Sequence, residues 1–409
     1  MVQATVPASR NKVSGGNNSQ FPPFFYAKII VMVIGIEAER ANHGQKTGVE
    51  HYAKQLILHL AQIDSQNEYI LYLRTKPEDW FLSLPKNFSL KVIPFPIFWT
   101  QLRLSWEMLW HPPDVLFVPA STLPLIHPKS VYTEHDVAWI YYPEIFTFYM
   151  RWFHRVFSWL ARTGATKIIA ISEATKQDLV KYYKVVSDKI RVVPHGYEVT
   201  SNSENELSKE VAQKLPEKYI LFLSTIQPRK NLVGLIEAFA ELKQEHPELP
   251  HKLVVVGKAG WKYEESFQAM KAHEDIVVYL GRVKDNERWS IYSKADLFIN
   301  ASFYEGFGMW ILEAFECEVP VAVSNISSLP EVGGDAAVYF DPKSKAEIKQ
   351  AILKVLTNEQ LQQELITKGR VRLKDFSWEK CARETLEVLV STARNTASSP
   401  LPHKERNGG

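Results

Sequence analysis

The sequence predicts an α/β protein of two domains, each built on a doubly wound parallel sheet, which face each other across a cleft. From Lys28 onward, short apolar strands alternate with segments whose apolar residues recur at helical spacing, an order typical of parallel sheets. The alternation stops in a polar segment, residues 197–217, and then starts again. A chain of 409 residues is long for one hydrophobic core and comfortable for two.

The predicted first domain, residues 28–196, contains seven strand candidates. Each is a short apolar run bounded by turn residues. In chain order they are KIIVMVIGI, EYILYL, LKVIPF, DVLFVP, SVYTEHD, KIIAIS and IRVVPHG. The segment GVEHYAKQLILHLAQ, directly after the first strand, has the apolar spacing of a helix. Ligands of such sheets bind outside the carboxyl ends of the strands, so we expect the site in the loops that follow them.

The predicted second domain, residues 218–375, repeats the pattern with six strand candidates. They are YILFLST, HKLVVVGKAG, IVVYLGRV, DLFINAS, PVAVSN and AAVYFD. Helices are expected at NLVGLIEAFAELKQEH, NERWSIYSKA, SKAEIKQAILKVLTN and EKCARETLEVLVSTA. The two ends of the chain, residues 1–27 and 394–409, are polar and rich in turn-forming residues, which predicts a disordered leader and tail.

Composition narrows the function classes. The net charge of +2 is too small to indicate nucleic-acid binding. Cys317 and Cys381 match no metal spacing and no disulfide framework, which indicates a reducing compartment. The apolar run near Lys28 extends over about ten residues, whereas a membrane-spanning helix needs about 20. We therefore expect a cytoplasmic protein, with surface attachment to a membrane as an alternative.

An aromatic-rich segment, residues 141–165, offers one place for such attachment. Its sequence YYPEIFTFYMRWFHRVFSWLARTGA has apolar residues at helical spacing. Most of its rings are expected in the core of the first domain. The alternative is a face that contacts lipid or a lipid-linked substrate.

The stretch SFYEGFGMWILEAF, residues 302–315, holds two glutamates around a glycine turn. It follows a predicted strand, and a helix that begins near Gly308 would present free N–H groups to an anion such as a phosphate. Glu305 lies in the loop, whereas Glu313 lies more than one turn inside the helix. A carboxylate there is costly unless it accepts hydrogen bonds, for which sugar or ribose hydroxyls are suitable donors. The alternative is a solvent-facing Glu313 with Gly306 and Gly308 as turn formers.

The stretch STIQPRKNL places Arg229 and Lys230 just before a helix, with Asn231 as a candidate cap. Cations at the beginning of a helix are unfavourable, and an anionic ligand would remove that penalty. A guanidinium and an ammonium group both suit a diphosphate. The alternative is a solvated basic pair in a loop.

Two further stretches follow strands of the first domain. TEHDVAW places His135 and Asp136 where a histidine can position a reacting sugar, although a hydrogen-bonded structural histidine is the alternative. GQKTGVEHYAKQLI places Gly44 and Gly48 in the loop after the first strand, where Gly48 could approach a phosphate. The spacing is neither GxGxxG nor GxxxxGK[ST], so dehydrogenase and ATPase functions are set aside.

Taken in order, these motifs resemble the retaining glycosyltransferases of the GT-B architecture, which has two Rossmann-like domains, in the group called family 4. The resemblance runs from about Lys28 to about Leu389. It rests on KTGVEHYAKQLILHL, YTEHD, IIAISEATKQDLVKYY, VVPHGY, PRKNL, VVVGKAGW, LGRV, SFYEGFG, SSLPEVGGDAAVYFDP and FSWEKCARETLEVL. The subset with PRKNL and GKAGW is similar to bacterial mannosyltransferases that build surface polysaccharides.

The resemblance implies a role for each candidate residue on the donor side. Glu313 is expected to bind the donor ribose, and Glu305 to lie near the transferred sugar. Backbone amides at Phe307, Gly308 and Met309 are expected to hold sugar hydroxyls and phosphate.

The remaining implied roles involve both domains, of which the first, residues 28–196, is expected to lie on the acceptor side and the second, residues 218–375, to bind the nucleotide sugar. Lys230, assisted by Arg229, is expected to neutralise the diphosphate, and Val283 to touch the base through its backbone. Gly48 is expected to approach the phosphate, and His135 to lie beside the sugar. The C-terminal helix, residues 376–393, is expected to cross back onto the first domain.

The implied reaction moves a hexose from a nucleotide sugar to a glycan or lipid-linked glycan, with retention of the anomeric configuration. The expected donor is GDP-mannose, and a UDP-sugar is the second choice. No metal is expected, because fixed cations and amide dipoles can stabilise the leaving group. The sequence also has no DxD motif at the position where a metal-dependent transferase would need one. No cofactor beyond the nucleotide sugar is expected. A UDP-sugar epimerase and a non-catalytic subunit of a polysaccharide assembly complex are alternatives. A phosphorylase would need a pyridoxal phosphate lysine site, and none is recognisable. The oligomeric state stays open.

Two departures from the family pattern put the identity of the sugar in question. Met309-Trp310 stands where Leu-Pro is usual. Glu316-Cys317-Glu318 stands where Ala-Cys-Gly is common, so Glu318 replaces a glycine in that turn.

Overall fold

The computed structural model describes residues 31–42, 48–143, 152, 154–198 and 207–394. The predicted leader, the tail beyond Arg394 and Gly44 lie outside the described residues. Within the described part, two separate parallel sheets carry the fold. The fold class predicted from the sequence is therefore confirmed.

The first sheet has seven strands, and all of its pairings are parallel. The strands are β1 (Val33–Glu37), β2 (Glu68–Leu73), β3 (Phe88–Val92), β4 (Val115–Val118), β5 (Ser130–Glu134), β6 (Lys167–Ala170) and β7 (Ile190–Val192). Their order across the sheet is β3-β2-β1-β4-β5-β6-β7. The central strands β4 and β5 are buried along their whole length, as expected of a sheet covered on both faces.

The second sheet has six strands, again all parallel. They are β8 (Tyr219–Leu223), β9 (Lys252–Val256), β10 (Val277–Gly281), β11 (Leu297–Asn300), β12 (Val321–Ser324) and β13 (Ala337–Phe340). Their order is β10-β9-β8-β11-β12-β13. In each sheet the strand order reverses once, between β1 and β4 and between β8 and β11. Crevices outside the carboxyl ends of strands at such reversals are where open α/β sheets bind ligands.

Helices connect the strands and cover the sheets. The described α-helices are α1 (Gly48–Ile63), α2 (Leu104–Trp110), α3 (Ala138–Tyr141), α4 (Trp159–Gly164), α5 (Glu173–Tyr183), α6 (Lys209–Lys214), α7 (Leu232–Glu245), α8 (Glu264–Ala272), α9 (Asp285–Ser293), α10 (Met309–Glu316), α11 (Leu329–Gly333), α12 (Lys345–Leu356), α13 (Glu359–Leu373) and α14 (Trp378–Arg394). Short 3-10 helices span Glu39–Ala41, Asp79–Ser83, Ser187–Lys189 and Pro228–Lys230, and π-helical turns span Trp99–Arg103 and His154–Ser158.

The last helix, α14, packs against α1 and the core of the first sheet. Its buried residues recur every three or four positions along one face, the spacing of a helix with a single apolar stripe. Trp378 begins this stripe, and its backbone approaches Gly196 so closely that a Cβ there would lie 2.3 Å from the Trp378 Cα. A glycine at residue 196 therefore lets the chain leave β7 beside the start of α14.

Several elements were absent from the sequence-based prediction. The predicted linker contains α6, whose Val211 is buried in the core of the second sheet, so one apolar anchor fixes part of a polar segment. Helix α13 was also missed, because only Leu365 and Gly369 are buried on it and its apolar pattern is weak. Asn231 does not cap α7 with its side chain. Its Nδ2 donates instead to the carbonyl of Pro342 over 2.7 Å.

The aromatic-rich segment at residues 141–165 is described only in part, since residues 144–151 and 153 lie outside the described residues. Trp152 and Trp159 are 54% and 56% exposed, so these two rings are not core residues. Among the helices that the structure describes, none is both long and apolar enough to cross a membrane.

Candidate active site

Three charged side chains meet where β8 and β11 end. The Lys230 ammonium contacts Oε1 of Glu305, and Nη1 of Arg229 lies 3.0 Å from Oε2 of Glu305. The Ser302 hydroxyl donates to Oε1 of Glu305 over 2.7 Å, and Arg229 also donates to the carbonyl of Tyr304. The structure thus brings two predicted motifs, far apart in sequence, into one buried cluster beside the strand-order reversal of the second sheet.

The ionisation of this cluster follows from burial and charge. Burial favours the neutral form of Glu305, but the neighbouring charges of Lys230 and Arg229 outweigh it and lower the pKa of Glu305 to about 2. Burial also lowers the pKa of Lys230 to about 8, although Glu305 opposes that shift. At pH 7 both partners are therefore charged. Asp136 interacts electrostatically with both cations, so it helps to balance their charge.

The backbone around the cluster is held by neighbouring loops. Pro228 stands at the first position of the 3-10 turn that carries Arg229 and Lys230, where its fixed φ suits a helical start. The Ser328 hydroxyl lies 2.9 Å from the carbonyl oxygen of Glu305 and 2.8 Å from that of Phe307. These contacts fix the loop that precedes α10.

His135 follows β5 and is a neutral hydrogen-bonding group. Its Nε2 lies 3.0 Å from the carbonyl oxygen of Pro119. Since a carbonyl can only accept, Nε2 carries the proton. Burial lowers the pKa of His135, so the ring is neutral at pH 7 and its Nδ1 is an acceptor. This geometry suits a contact with a sugar hydroxyl.

Two glycines shape the loop between Glu305 and α10. A Cβ at Gly306 would lie 2.2 Å from the backbone oxygen of His135 and 2.9 Å from Cβ of Asp136. The loop before α10 therefore lies directly against the loop that follows β5. We call the part of the chain that carries the first sheet the first half, and the part that carries the second sheet the second half. Gly308 has φ of +106° and immediately precedes Met309, the first residue of α10. Only glycine adopts such a backbone readily.

Glu313 lies inside α10 and is buried, as its position in an apolar helix predicts. The Tyr292 hydroxyl donates to its Oε2 over 3.0 Å, and Nη1 of Arg288 lies 3.2 Å from its Oε1. Burial outweighs these partners and raises the pKa of Glu313. The solvent-facing alternative for this residue is wrong, because its carboxyl is held by two side chains of α9.

The other predicted donor-binding residues, among them Met309, Val283 and Gly48, lie outside the charged cluster. Met309 and Val283 are partly buried in one apolar cluster of the second half. Gly48 is the first residue of α1, and a Cβ there would meet nothing within 4 Å. Phe307 is buried and stacks on His195, with ring centroids 5.0 Å apart, and His195 stacks in turn on Tyr52 over 4.7 Å.

A cavity of about 650 Å³ opens at the carboxyl edge of the first sheet. His135 and Asp136 line it from the first half, and Arg229 and Trp261 line it from the second. Its size falls within the range of about 300–1,000 Å³ that small-molecule sites have. In the described part of the chain, no group of three or more His, Cys, Asp or Glu side chains is arranged to hold a metal ion.

Several residues of the site were not recognised from the sequence. Arg288 and Tyr292 on α9 hold Glu313, and Glu37 and Glu134 line the cavity. The two cavity glutamates stand at the ends of apolar strands, and an acidic residue at that position is the signal that could have identified them. The partners on α9 carry no such signal, because they depend on how α9 packs against α10.

Two family models match this chain. The model described as glycosyltransferase family 4 matches residues 46–201, and the model described as glycosyl transferases group 1 matches residues 203–372. Together they cover the second sheet, six of the seven strands of the first sheet, and most of the motifs described above.

Individual proteins show the same likeness. The O-antigen chain mannosyltransferase B of Escherichia coli is 30% identical over 305 residues, which span 70% of this chain and 76% of that protein. The serotype-specific mannosyltransferase WbdA of Escherichia coli is 30% identical over 256 residues, which span 59% of this chain and 31% of that protein. The crystal structure of Anabaena HepE in complex with UDP and glucose has a similar fold, with a TM-score of 0.65, 19% identity, and coverage of 88% of this chain and 100% of that one.

Proposed function

This chain belongs to the group 1 and family 4 glycosyltransferases, and we propose that it transfers mannose with retention from GDP-mannose to a glycan or lipid-linked glycan. A UDP-sugar is the second choice of donor. The similarity to O-antigen mannosyltransferases supports mannose as the transferred sugar and a surface polysaccharide as the product.

The observation that carries this proposal is the buried contact of Arg229 and Lys230 with Glu305. Two cations and one carboxylate from the second half leave one positive charge, which Asp136 of the first half helps to balance. A bound diphosphate would supply negative charge in the same place. Fixed cations in a buried site are suited to stabilise charge that develops on a leaving group.

In the proposed reaction, the bond between the sugar C1 and the diphosphate oxygen breaks as the acceptor hydroxyl forms a new bond to C1 on the same face. The acceptor proton passes to the departing phosphate oxygen. Lys230 and Arg229 stabilise the diphosphate, and the amides at the start of α10 add a positive dipole end. His135 accepts a hydrogen bond from the sugar through Nδ1, and Glu313 accepts hydrogen bonds from the ribose. The close approach of Gly306 to His135 supports the exclusion of water from this reaction.

Glu313→Ala tests this assignment. The wild type is expected to transfer mannose from labelled GDP-mannose to mannose oligosaccharides, with an unchanged anomeric configuration by NMR. The variant is expected to lose at least tenfold in kcat/KM, since the ribose hydroxyls lose their acceptor. Glu364→Gln, on the exposed face of α13, is the matched control. Undiminished transfer by Glu313→Ala would contradict the assignment, and an inverted product would contradict retention.

We also propose that the first half contacts a membrane surface through an apolar patch. This apolar patch consists of Ile97, Phe98, Leu102, Trp106, Leu109 and Trp110, which are between 48% and 65% exposed. Tryptophan side chains are suited to the interface between lipid and water. Phe98 also lines the cavity, so a lipid-linked acceptor could reach the site from this patch.

The membrane contact is tested by co-sedimentation with vesicles that contain anionic lipid. The double variant Trp106→Ser with Trp110→Ser is expected to bind vesicles at least fivefold more weakly than the wild type. Leu82→Ser, at another exposed apolar residue, serves as the control. Equal sedimentation of all three proteins would rule the patch out as the contact surface.

A further inference from the structure

Two buried carboxyl groups stand at the carboxyl edge of the first sheet, outside the charged cluster of the second half. Glu37 ends β1 and Glu134 ends β5, and β4 lies between these strands. Neighbouring strands are about 4.8 Å apart, so the two backbone positions are on the order of 10 Å apart. Both residues line the cavity that His135 also lines.

Glu37 lacks a partner for one of its oxygens. The residue is 2% exposed, and its Oε2 has no hydrogen-bond partner. Buried polar atoms are almost always hydrogen-bonded, so an exception needs an explanation. Glu134, in contrast, accepts a hydrogen bond from the Tyr132 hydroxyl over 3.2 Å. Glu37 therefore has an unused acceptor beside a ligand-sized cavity.

Keeping these carboxyl groups buried is unfavourable for the free protein. Burial raises the pKa of Glu37 to about 7 and that of Glu134 to about 7. Buried ionisable residues that lower the free energy of unfolding are typical of binding and catalytic sites, where their function keeps them in place.

The rest of the cavity indicates which ligand it suits. Trp99, Trp139 and Trp261 line it, and such rings offer broad apolar faces with a polar edge. The lining holds three arginines and five acidic side chains, so it has no excess of positive charge that would favour an anion. Apolar ring faces combined with a few acceptor oxygens match a neutral sugar, whose C–H faces are apolar and whose hydroxyl groups donate.

We propose that Glu37 and Glu134 bind hydroxyl groups of the terminal sugar of the acceptor, and that this sugar is a neutral hexose. The inference rests on the proposed function, since it places the acceptor beside His135 and Arg229. Glu37 acts as a positioning residue that accepts a hydrogen bond through Oε2. Glu134 lies on the other side of the same subsite, at the end of β5, and binds a second hydroxyl group of the sugar.

The test uses the full chain and measures the binding of mannobiose by saturation-transfer NMR without any donor. Glu37→Gln is expected to weaken the binding of mannobiose at least tenfold, and Glu134→Gln at least threefold. The melting temperature of Glu37→Gln is expected to equal or exceed that of the wild type, because a neutral amide is easier to bury. Glu68→Gln, exposed at the opposite end of β2, is the matched control. Mannose 6-phosphate is expected to bind more weakly than mannose.

The outcomes separate this inference from the proposed function. Mannobiose binding that is absent in the wild type, or unchanged in Glu37→Gln, would overturn the inference. A lower melting temperature of Glu37→Gln without weaker sugar binding would assign Glu37 a purely structural role. Equal binding of mannose 6-phosphate would overturn the neutral-sugar class. The donor proposal fails independently of all these results if GDP does not raise the melting temperature of the wild type.

Discussion

Lys230 and Glu305 show how one buried pair can define a site. A salt bridge on the surface contributes about 0–1 kcal/mol, so such a pair rarely reveals function. The carboxylate here is 8% exposed and contacts two cations at once. Removing Glu305 would leave two buried cations without this partner, and breaking a buried ion pair in this way destabilises by about 3–5 kcal/mol. Conservative variants are therefore the informative ones at this position.

The pH dependence of donor binding follows from Lys230. Its pKa of about 8 means that it is mostly protonated at pH 7 and loses its charge as the pH rises above 8. The Kd for GDP is expected to be constant up to about pH 7 and to increase as the pH rises through 8, because a neutral lysine no longer attracts the diphosphate.

Lys230→Arg provides the check on that assignment. A guanidinium has a pKa above about 12, so the alkaline rise in Kd should disappear between pH 8 and pH 10. Calorimetric titration with GDP measures this directly. An alkaline rise that persists unchanged in Lys230→Arg would assign the titration to another group.

The loop of residues 305–308, before α10, is one place where the two halves meet. Gly306→Ala would place a methyl group within 2.2 Å of the His135 backbone oxygen, so the loop must shift by roughly 1 Å. A displacement of this size at a reacting centre can lower the rate about a hundredfold. The kcat/KM of Gly306→Ala is therefore expected to fall by about that factor in the transfer assay.

Gly164→Ala is the control for this prediction. It lies at the end of α4, and its Cβ would meet only the His127 ring, at 3.0 Å. Near-normal activity is expected there. Full activity in Gly306→Ala would show that the loop tolerates displacement and that the close contact has no part in the reaction.

At the level of elements, the sequence predicted strands better than helices. Each of the thirteen described strands overlaps a predicted one, because buried parallel strands are short apolar runs with clear boundaries. Helices α6 and α13 were missed because each buries few residues. The motif loops were located because they follow strands, but the contact of Arg288 with Glu313 depends on the packing of α9 against α10. No local pattern encodes such a contact.

At the scale of the whole molecule, a second contact joins the halves at the start of α5. The Glu331 carboxylate accepts hydrogen bonds from the backbone N–H groups of Glu173 and Ala174 over 2.7 and 2.6 Å. Arg372 donates to the backbone oxygens of Glu331 and Val332 and so holds this segment. A carboxylate at a helix N-terminus satisfies free N–H groups and interacts favourably with the helix dipole.

Glu331→Gln tests whether this contact holds the halves together. The amide has only one accepting oxygen, so one N–H of α5 loses its partner. The radius of gyration of the free protein in small-angle scattering is expected to increase, and the KM for the donor to increase about three- to tenfold. Glu364→Gln should change neither quantity. An unchanged radius of gyration and KM in Glu331→Gln would show that the halves are held by other contacts.

The most direct test of donor recognition is a thermal-shift measurement of the wild type with GDP, GDP-mannose, UDP and UDP-glucose, without added metal. A ligand that binds the folded state raises the melting temperature according to its concentration relative to Kd. GDP and GDP-mannose are expected to raise it by several degrees at millimolar concentration, and UDP and UDP-glucose to raise it much less. A shift with UDP compounds alone would contradict GDP-mannose as the donor. The absence of a shift with any nucleotide would contradict a nucleotide-sugar transferase altogether.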